Sequence, residues 1–440
     1  MKKLITLLLV LTGMVSTANA TDYVVAGVSA IANGHEWDNN AADNLMSRAD
    51  DDHYYLVVHN CTLYRPTNEY ANKYAWQVTE KGTWDGFKTS TYDLQISEDG
   101  TYSLIFIVKI STKELNVVPV KNLTLSNNYG SNNTWNGDNS SFYFTYSNGT
   151  KWTIDINSSD VTKSWRFRVW TSGILYWNGW HNIAATSEGE QLALGTSSNA
   201  SYSANDTNNS WEVEYPSYSF NKYTISAEYD VINQNWVVSA DAYISKTVVA
   251  SNKYATLGCS AALDLSGLPA TVTAYPLTAN ATTGKITKGT AITTVLGAGK
   301  GVLLESSDAE NDVVLSIPIS AEAGAAGDND LVATTGTSVA KVTEDGYTNY
   351  ILASQNNHVG FYMVNTAGNG MGANTAYLHV ADAEGARSFF ALDDSESVTA
   401  INAVDQNANA NGDFFNIAGQ RVAQPTKGLY IVNGKKVIIK

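Results

Sequence analysis

Two short stretches of the chain combine aromatic rings, a small amide or carboxylate, and a glycine. Residues 174–180 are Ile-Leu-Tyr-Trp-Asn-Gly-Trp, and residues 83–87 are Thr-Trp-Asp-Gly-Phe. Asn, Asp and Gly favour tight turns, so both stretches predict turns that carry flat rings. A ring held on a turn can stack on the apolar C–H face of a sugar, and by analogy with base stacking each stack is worth about 1–3 kcal/mol. The chemistry that these residues favour is non-covalent sugar binding.

Seven residues form the candidate carbohydrate-binding set. They are Trp84, Trp177, Trp180, Trp37, Trp135, Tyr176 and Arg168. Four of the rings belong to the two predicted turns, and two more lie in Asn- and Gly-rich loops that follow a first strand. The arginine lies in an aromatic strand, where it is a candidate partner for sugar hydroxyls. For every ring, packing in a core is the alternative role.

The turns belong to two copies of one longer pattern. All 11 tryptophans lie between Trp37 and Trp236, and none follows. Each copy has a first strand, a loop with a Trp, an aromatic strand that leads into a turn, and a closing hairpin. In the second hairpin, residues 223–230 alternate between apolar and polar types, which is typical of a strand with one buried face. The pattern predicts an all-β chain of tandem β-sandwich modules, followed by a β-rich module and a small C-terminal β unit.

The same alternation separates core rings from candidate rings. In the aromatic strand of the second copy, Trp165, Phe167 and Val169 share one face, which is predicted to be core. The arginines between them share the other face with Trp170. By alignment, Trp76 takes a core position in the first copy.

The two copies resemble the β-sandwich glycan-binding modules found in tandem in the SusE/SusF-type outer-membrane starch-binding proteins of Bacteroidota. The resemblance rests on the aromatic strands that lead into Trp-Asp-Gly at 84–86 and Trp-Asn-Gly at 177–179, and on the hairpins at 100–118 and 222–238. It implies a starch-like polysaccharide as the ligand and other outer-membrane glycan-uptake proteins as partners. Those proteins are lipid-anchored through a cysteine at the cleavage site, whereas no cysteine stands at the site predicted for this chain, and the first is Cys61.

The sequence divides into six predicted segments. Lys2 and Lys3, a leucine-rich run and Ala-Asn-Ala at 18–20 form the pattern of a secretory signal peptide. The predicted segments are the signal peptide (1–20), a first β-sandwich module (21–120), a second (121–242), a β-rich Trp-free module (243–398), a polar linker (399–412) and a C-terminal β tail (413–440).

The two later modules carry resemblances of their own. The Trp-free module resembles a β-rich module recurrent in secreted Bacteroidota proteins. Its residues 295–304 predict a hairpin, because the glycine-rich stretch 297–301 lacks the Lys-Ser/Thr and the following helix of a phosphate loop. The tail resembles the type IX secretion sorting signal of Bacteroidota. This resemblance implies a secreted or cell-surface protein at the exterior of the outer membrane.

Composition limits the partners. A formal net charge of −15 repels phosphate backbones and anionic membrane surfaces, so nucleic acid is not an expected partner. The apolar run of the signal peptide is well short of the roughly 20 residues that a membrane-spanning helix needs, and no second such run follows. Cys61 and Cys259 are far apart, and they predict two buried or idle thiols and no stapling disulfide.

No catalytic motif and no metal-ligand spacing accompany the rings. The sequence therefore predicts no enzyme, no cofactor and no bound metal. The first interpretation is a non-catalytic carbohydrate-binding protein, and the alternative is a structural or adhesive surface protein without a glycan site. A third is a glycoside hydrolase whose two carboxylates are hidden among 42 acidic residues.

Overall fold

The regular structure of the chain is almost entirely β. The computed structural model describes residues 21–439, apart from residues 67–73, 88–92, 95, 130–134, 136–138, 172–180, 204–208, 325–326, 335–338, 341–342, 345, 356–357, 365–368, 383–387, 393–413, 417–419, 423–425 and 433–434. Within these residues there are 39 strands and four short 3₁₀ turns, which confirms the predicted all-β class. The turns span Ser29–Ile31, Ala42–Asn44, Ser140–Phe142 and Ser158–Asp160.

Residues 21–120, called module 1 below, form two facing antiparallel sheets. The strands are β1 (Tyr23–Gly27), β2 (Ser47–Arg48), β3 (His53–Leu63), β4 (Tyr74–Glu80), β5 (Gly86–Phe87), β6 (Asp93–Leu94), β7 (Gly100–Lys109) and β8 (Glu114–Val120). One sheet has the order β1-β4-β5, with β6 also on β4, and the other has the order β2-β3-β7-β8. Between the sheets, the Trp76 ring of β4 meets the Phe106 ring of β7 edge-on at 4.8 Å.

Residues 121–242, called module 2, also form two facing sheets, in which all strands pair antiparallel except β14 with β17. The strands are β9 (Leu123–Asn127), β10 (Thr145–Asn148), β11 (Lys151–Asn157), β12 (Trp165–Thr171), β13 (His181–Ala184), β14 (Glu190–Gln191), β15 (Thr196–Asn199), β16 (Ser201–Ser203), β17 (Trp211–Val213), β18 (Lys222–Asp230) and β19 (Asn235–Val248). One sheet has the order β14-β17-β12-β13-β16, with β9 also on β12, and the other contains β10-β11-β18-β19, with β15 also on β19. The Trp165 and Tyr223 rings pack between the two sheets, with their ring centres 5.8 Å apart.

The predicted core faces are confirmed in both modules. Trp76, Trp165, Phe167 and Val169 are all buried. In the second hairpin, the residues predicted to face the core are buried, namely Tyr223, Ile225, Ala227 and Tyr229. Alternation therefore identified the rings of the shared core, although Trp170 on the opposite face of β12 is buried as well.

Modules 1 and 2 pack against each other through the outer face of β7. Leu104 and Phe106 belong to the core of module 1, whereas Ile105 and Ile107 belong to the core that continues through module 2. Successive strand residues point to opposite faces, so β7 buries one face in each core. At the edge of this boundary, the His59 ring of β3 lies 4.0 Å from the Tyr146 ring of β10.

Strand β19 continues beyond module 2 into residues 243–398, called the Trp-free region. Its first part pairs with β18 and its last part, from Tyr243 to Val248, pairs with β27. The strands of this region are β20 (Tyr254–Gly258), β21 (Ala262–Asp264), β22 (Val272–Tyr275), β23 (Leu277–Asn280), β24 (Lys285–Lys288), β25 (Val295–Leu296), β26 (Gly301–Ser306), β27 (Val313–Ser320), β28 (Leu331–Ala333), β29 (Val339–Ala340), β30 (Thr343–Glu344), β31 (Tyr347–Gln355), β32 (His358–Met363), β33 (Asn369–Gly370), β34 (Ala376–Ala381) and β35 (Phe389–Ala391).

The hairpin predicted for residues 295–304 is wrong. β25 pairs with β21, whereas β26 pairs with β20 and β22, so the two strands lie in different sheets. The glycine-rich stretch between them is a crossover that continues into a bridge from Lys300 to Val332. A crossover and a hairpin turn both use Gly to reverse or redirect the backbone, and the local sequence does not separate them.

The last residues form a compact unit of their own, which begins at Phe390. Its strands are β36 (Phe414–Phe415), β37 (Arg421–Val422), β38 (Gly428–Val432) and β39 (Lys435–Ile439), in the antiparallel order β37-β36-β38-β39. β38 and β39 pair antiparallel from Gly428 with Ile439 to Val432 with Lys435, in agreement with the β unit predicted for this tail. The predicted linker at 399–412 lies outside the described residues.

Both cysteines are free and buried, as predicted. Burial raises the pKa of the Cys61 thiol to about 12, so this thiol is protonated near neutral pH. In the part of the chain that the structure describes, no helix has the length and apolarity needed to cross a bilayer.

Candidate functional site

Trp84 stands on a hydrogen-bonded turn at one edge of module 1. Its side chain is 51% exposed, whereas the core tryptophans are almost completely buried. The Thr83 N–H donates to the Glu80 carbonyl at 3.0 Å, and the Glu80 N–H donates to the Asp85 carbonyl at 2.9 Å. The Thr83 hydroxyl accepts the Asp85 N–H at 3.2 Å. The turn that carries this large exposed ring is therefore closed by bonds on both sides of it.

Gly86 explains why the turn ends in glycine. β5 pairs closely with β4, with Gly86 opposite Thr79. A Cβ atom at position 86 would lie 2.3 Å from the Val78 carbonyl oxygen and 2.6 Å from the Thr79 Cα. Only glycine lets the strand that follows Trp84 approach this closely.

The loop that carries Trp37 is fastened to the same turn. The Asn39 side-chain amide donates to the Thr83 carbonyl at 2.7 Å, and the Gly82 N–H donates to the Asn39 carbonyl at 2.8 Å. Two of the candidate rings, Trp37 and Trp84, thus lie on neighbouring loops of one edge. This proximity could not be read from the sequence, in which the two residues are 47 positions apart.

Trp37 has an unusual backbone conformation. Its φ is 48°, in the left-handed region, which is a genuine outlier for a bulky side chain. Its N–H donates to the Gly27 carbonyl at 2.8 Å, which ties the loop to the end of β1. Strained backbone that persists because its surroundings hold it is concentrated at binding and catalytic sites.

Polar side chains surround this edge of module 1. His35 lies 4.0 Å from an Asp38 oxygen and 3.7 Å from an Asp43 oxygen. Asp38 also accepts the Asn40 N–H at 2.8 Å, and Asp85 is exposed beside Trp84. Carboxylate and amide groups of this kind exchange hydrogen bonds with hydroxyl groups. The edge therefore combines exposed indole surface with hydrogen-bonding side chains, the two requirements of a sugar site.

In module 2, Arg168 is held between two indole rings. Its guanidinium carbon lies 5.3 Å from the Trp135 ring centre and 5.3 Å from the Trp170 ring centre. An Nη2 hydrogen bond reaches the Trp135 carbonyl at 3.4 Å. Arg168 is only 7% exposed and Trp135 is half-buried. The arginine thus orients the Trp135 ring, and most of its own surface is covered.

Strand register shows which positions of the two modules correspond. β1 places Gly27 opposite Trp76, and β9 places Asn127 opposite Phe167. The residue after each of these aromatic residues is Gln77 in module 1 and Arg168 in module 2. The modules therefore share a scaffold but differ in the side chain beneath the loop that carries the first tryptophan.

The structure brings the candidate residues together in two places. Trp37 and Trp84 share an edge in module 1, and Trp135 and Arg168 are in contact in module 2. Tyr176, Trp177 and Trp180 lie outside the described residues. Sequence reasoning missed Trp170 as a partner of Arg168, although strand alternation placed both on one face. It also missed Asn39, for which the sequence held no signal.

No family model matches the chain, and no curated protein is recognisably similar to it. Among the described residues, no three His, Cys, Asp or Glu side chains converge in a way that would hold a metal ion.

Proposed function

We propose that this chain is a non-catalytic carbohydrate-binding protein that holds a polysaccharide at the edge of module 1. The observation that carries the proposal is the exposed Trp84 ring on its closed turn, fastened to the strained loop of Trp37. The indole supplies a flat apolar surface for a C–H face, and the surrounding carboxylates and amides supply hydrogen bonds to hydroxyls. A starch-like polymer is the ligand that the resemblance implies.

Rigidity supports this function. A ring whose turn is already ordered loses less conformational freedom on binding than a ring on a loose loop. Five backbone and side-chain hydrogen bonds at Glu80, Gly82, Thr83 and Asp85 order the turn before any ligand arrives.

The tandem arrangement favours a polymer over a single sugar. One stack of about 1–3 kcal/mol gives weak binding by itself. Modules 1 and 2 pack through β7, which fixes the spacing between the Trp84 edge and the Trp135 ring. A long chain that reaches both would bind the second ring as an intramolecular event, with a raised effective concentration.

We also propose an extracellular setting, as part of the same function. The signal-peptide pattern and the tail that resembles a sorting signal support a secreted or cell-surface location, where polysaccharide is available. Outer-membrane glycan-uptake proteins are the proposed partners.

Retardation in native gels cast with starch, pullulan, xylan or mannan tests the proposal. The full chain from residue 21 is used, because a cut at 242 would divide strand β19. Trp84→Ala is compared with Tyr64→Ala, which removes a ring of module 1 that is 56% exposed. The Tyr64 N–H donates to the hydroxyl of Tyr74 at the start of β4, whereas the Trp84 turn follows the end of β4. We expect at least one polysaccharide to lower the mobility of the wild type and of Tyr64→Ala, and to leave the mobility of Trp84→Ala unchanged.

Other outcomes separate the alternatives. Equal mobility in every gel would favour a structural or adhesive role, in which modules 1 and 2 act as a rigid spacer. Release of reducing sugar from any polymer would favour a glycoside hydrolase.

A further inference from the structure

A concave site lies in the Trp-free region, and no tryptophan lines it. It has a volume of about 600 Å³, within the range of roughly 300–1,000 Å³ typical of small-molecule sites. Its wall includes Lys253, Thr271, Thr273, Tyr275, Glu305 and Ser307. The wall thus contains one aromatic ring and both signs of charge.

The sheet β20-β26-β22 positions the central carboxylate of this site. Glu305 lies on the middle strand, opposite Tyr254 on one neighbour and Thr273 on the other. Side chains two residues apart share a face, so Tyr275 is on the same face as Thr273. Because the three strands fix these positions, the carboxylate and the ring are held on a rigid surface.

Two lysines flank Glu305. Lys253 Nζ lies 3.0 Å from Oε1, and Lys288 Nζ lies 2.7 Å from Oε2. Burial alone would raise the pKa of Glu305, but the two ammonium groups outweigh it and lower the pKa overall. The Lys288 ammonium also lies 5.4 Å from the centre of the Tyr275 ring. An ionised carboxylate, two cations and an aromatic ring are therefore in contact.

Lys253 reaches the site from a strained turn. Its φ is 63°, a left-handed value that is uncommon outside glycine. Its carbonyl accepts the Ser306 N–H at 2.8 Å, which fastens the turn to the end of β26. The Lys253 side chain remains half exposed. The turn thus presents a cation to solvent at the mouth of the site at a cost in backbone strain.

We propose that this pocket is a second carbohydrate-binding site, which takes one pyranose unit with its C–H face on Tyr275 and its hydroxyls on Lys253 and Glu305. A sugar hydroxyl both donates and accepts hydrogen bonds, so it is matched by an ammonium beside a carboxylate. A phosphate group is a poorer match, because Glu305 and the nearby Asp308 repel it. The site goes beyond the proposed function of module 1, with which it shares no residue.

Isothermal titration of the full chain from residue 21 tests the proposal. The probes are glucose, galactose, mannose, N-acetylglucosamine and galacturonate, each added up to about 20 mM, well above the millimolar Kd of a single weak site. The variants are Tyr275→Ala, Tyr275→Phe and Lys253→Met, with Lys285→Met on the exposed strand β24 as the matched control. Trp84→Ala is titrated in parallel, and thermal melting shows whether each variant folds.

We expect one sugar to give saturable heat with the wild type. Tyr275→Ala and Lys253→Met should weaken the Kd by about tenfold or more, while Tyr275→Phe, Lys285→Met and Trp84→Ala stay within about twofold. If Tyr275→Ala fails to fold, the Kd of Lys253→Met compared with the Kd of Lys285→Met tests the proposal.

Three results would overturn the inference. They are no saturable heat with any of the five sugars, complete loss of heat in Trp84→Ala, and equal affinity of Lys253→Met and Lys285→Met. Because the Trp84 variant reports on module 1 alone, failure of the Trp84 site and failure of this pocket give different patterns.

Discussion

The Asn39 side-chain amide donates to the Thr83 carbonyl at 2.7 Å and so joins the loop of Trp37 to the turn of Trp84. The two rings are 47 positions apart in the sequence, yet this one bond and the Gly82 N–H bond to Asn39 hold their loops side by side. The carbohydrate-binding proposal depends on this relationship, because two rings on one edge offer a longer apolar surface than one.

Asn39→Ala is expected to weaken polysaccharide binding with little loss of stability. The bond is exposed, and a typical hydrogen bond contributes only about 0.5–1.5 kcal/mol to stability. The loop of Trp37 would nevertheless be less ordered before binding, so the apparent Kd in affinity gels should rise several-fold. Asn40→Ala, one residue further along the same loop, is the control. Equal Kd values for the two variants would mean that the loop contact does not serve binding.

Gly86→Ala is expected to destabilise module 1 more than Gly82→Ala. The added Cβ at 86 meets the Val78 carbonyl oxygen at 2.3 Å, and overpacking of this kind costs about 1–3 kcal/mol. At 82 no atom lies within 4 Å of the added Cβ, and only the left-handed φ of 75° opposes it, at about 1 kcal/mol. Urea unfolding measures the free energy of unfolding of the two variants. A Gly82 variant as unstable as the Gly86 variant would contradict the close pairing of β4 and β5.

Arg168→Met is expected to lower the free energy of unfolding by about 2 kcal/mol, the value of a desolvated cation on an aromatic ring. Arg166→Met is the matched control two residues away. Arg166 is half-exposed and pairs with Glu188 at 3.0 Å and Glu212 at 2.9 Å, and pairs this open to solvent contribute about 0–1 kcal/mol. If Arg166→Met were the more costly change, Arg168 would not be the residue that holds the rings of Trp135 and Trp170.

The boundary between modules 1 and 2 is expected to weaken as the pH falls from 7 to 5. Burial lowers the pKa of His59 below its usual 6.5, so the unfolded chain binds more protons than the folded chain in this window. Stability therefore decreases as the pH falls through the unfolded pKa. The centre of the His59 ring lies 4.0 Å from the centre of the Tyr146 ring of module 2, so protonation of His59 destabilises the contact between the two modules.

Urea unfolding at several pH values measures the effect of His59. The slope of stability against pH between 5 and 7 should be smaller in His59→Gln than in the wild type. Identical slopes would show that the burial of His59 has no energetic consequence.

Sequence patterns predicted the strands and their buried faces well, because strand alternation is a local property. Trp76 and Trp165 were assigned to the core from their neighbours alone, and the structure confirms both. Arg168 was assigned to the correct face, but its burial between two rings depends on where the loop of Trp135 returns, which no local pattern contains.

Strand pairing was less accessible to sequence reasoning. The stretch at 297–301 has the composition of a hairpin turn, yet β25 and β26 join different partners in different sheets. The alternation in β19 continues to Val248, although the tryptophans stop at 236. The pocket at Glu305 was not foreseen, because Lys253, Tyr275, Lys288 and Glu305 come from four separate segments that only the fold brings together.

Fluorine NMR of the chain labelled with 5-fluorotryptophan tests the central claim most directly. Single Trp→Phe variants assign the resonances of Trp84, Trp37 and the core residues Trp76, Trp165 and Trp211. The account predicts that a polysaccharide which retards the protein in gels shifts the Trp84 and Trp37 resonances and leaves the three core resonances in place. A retarding polysaccharide that leaves the Trp84 resonance unchanged would contradict the account.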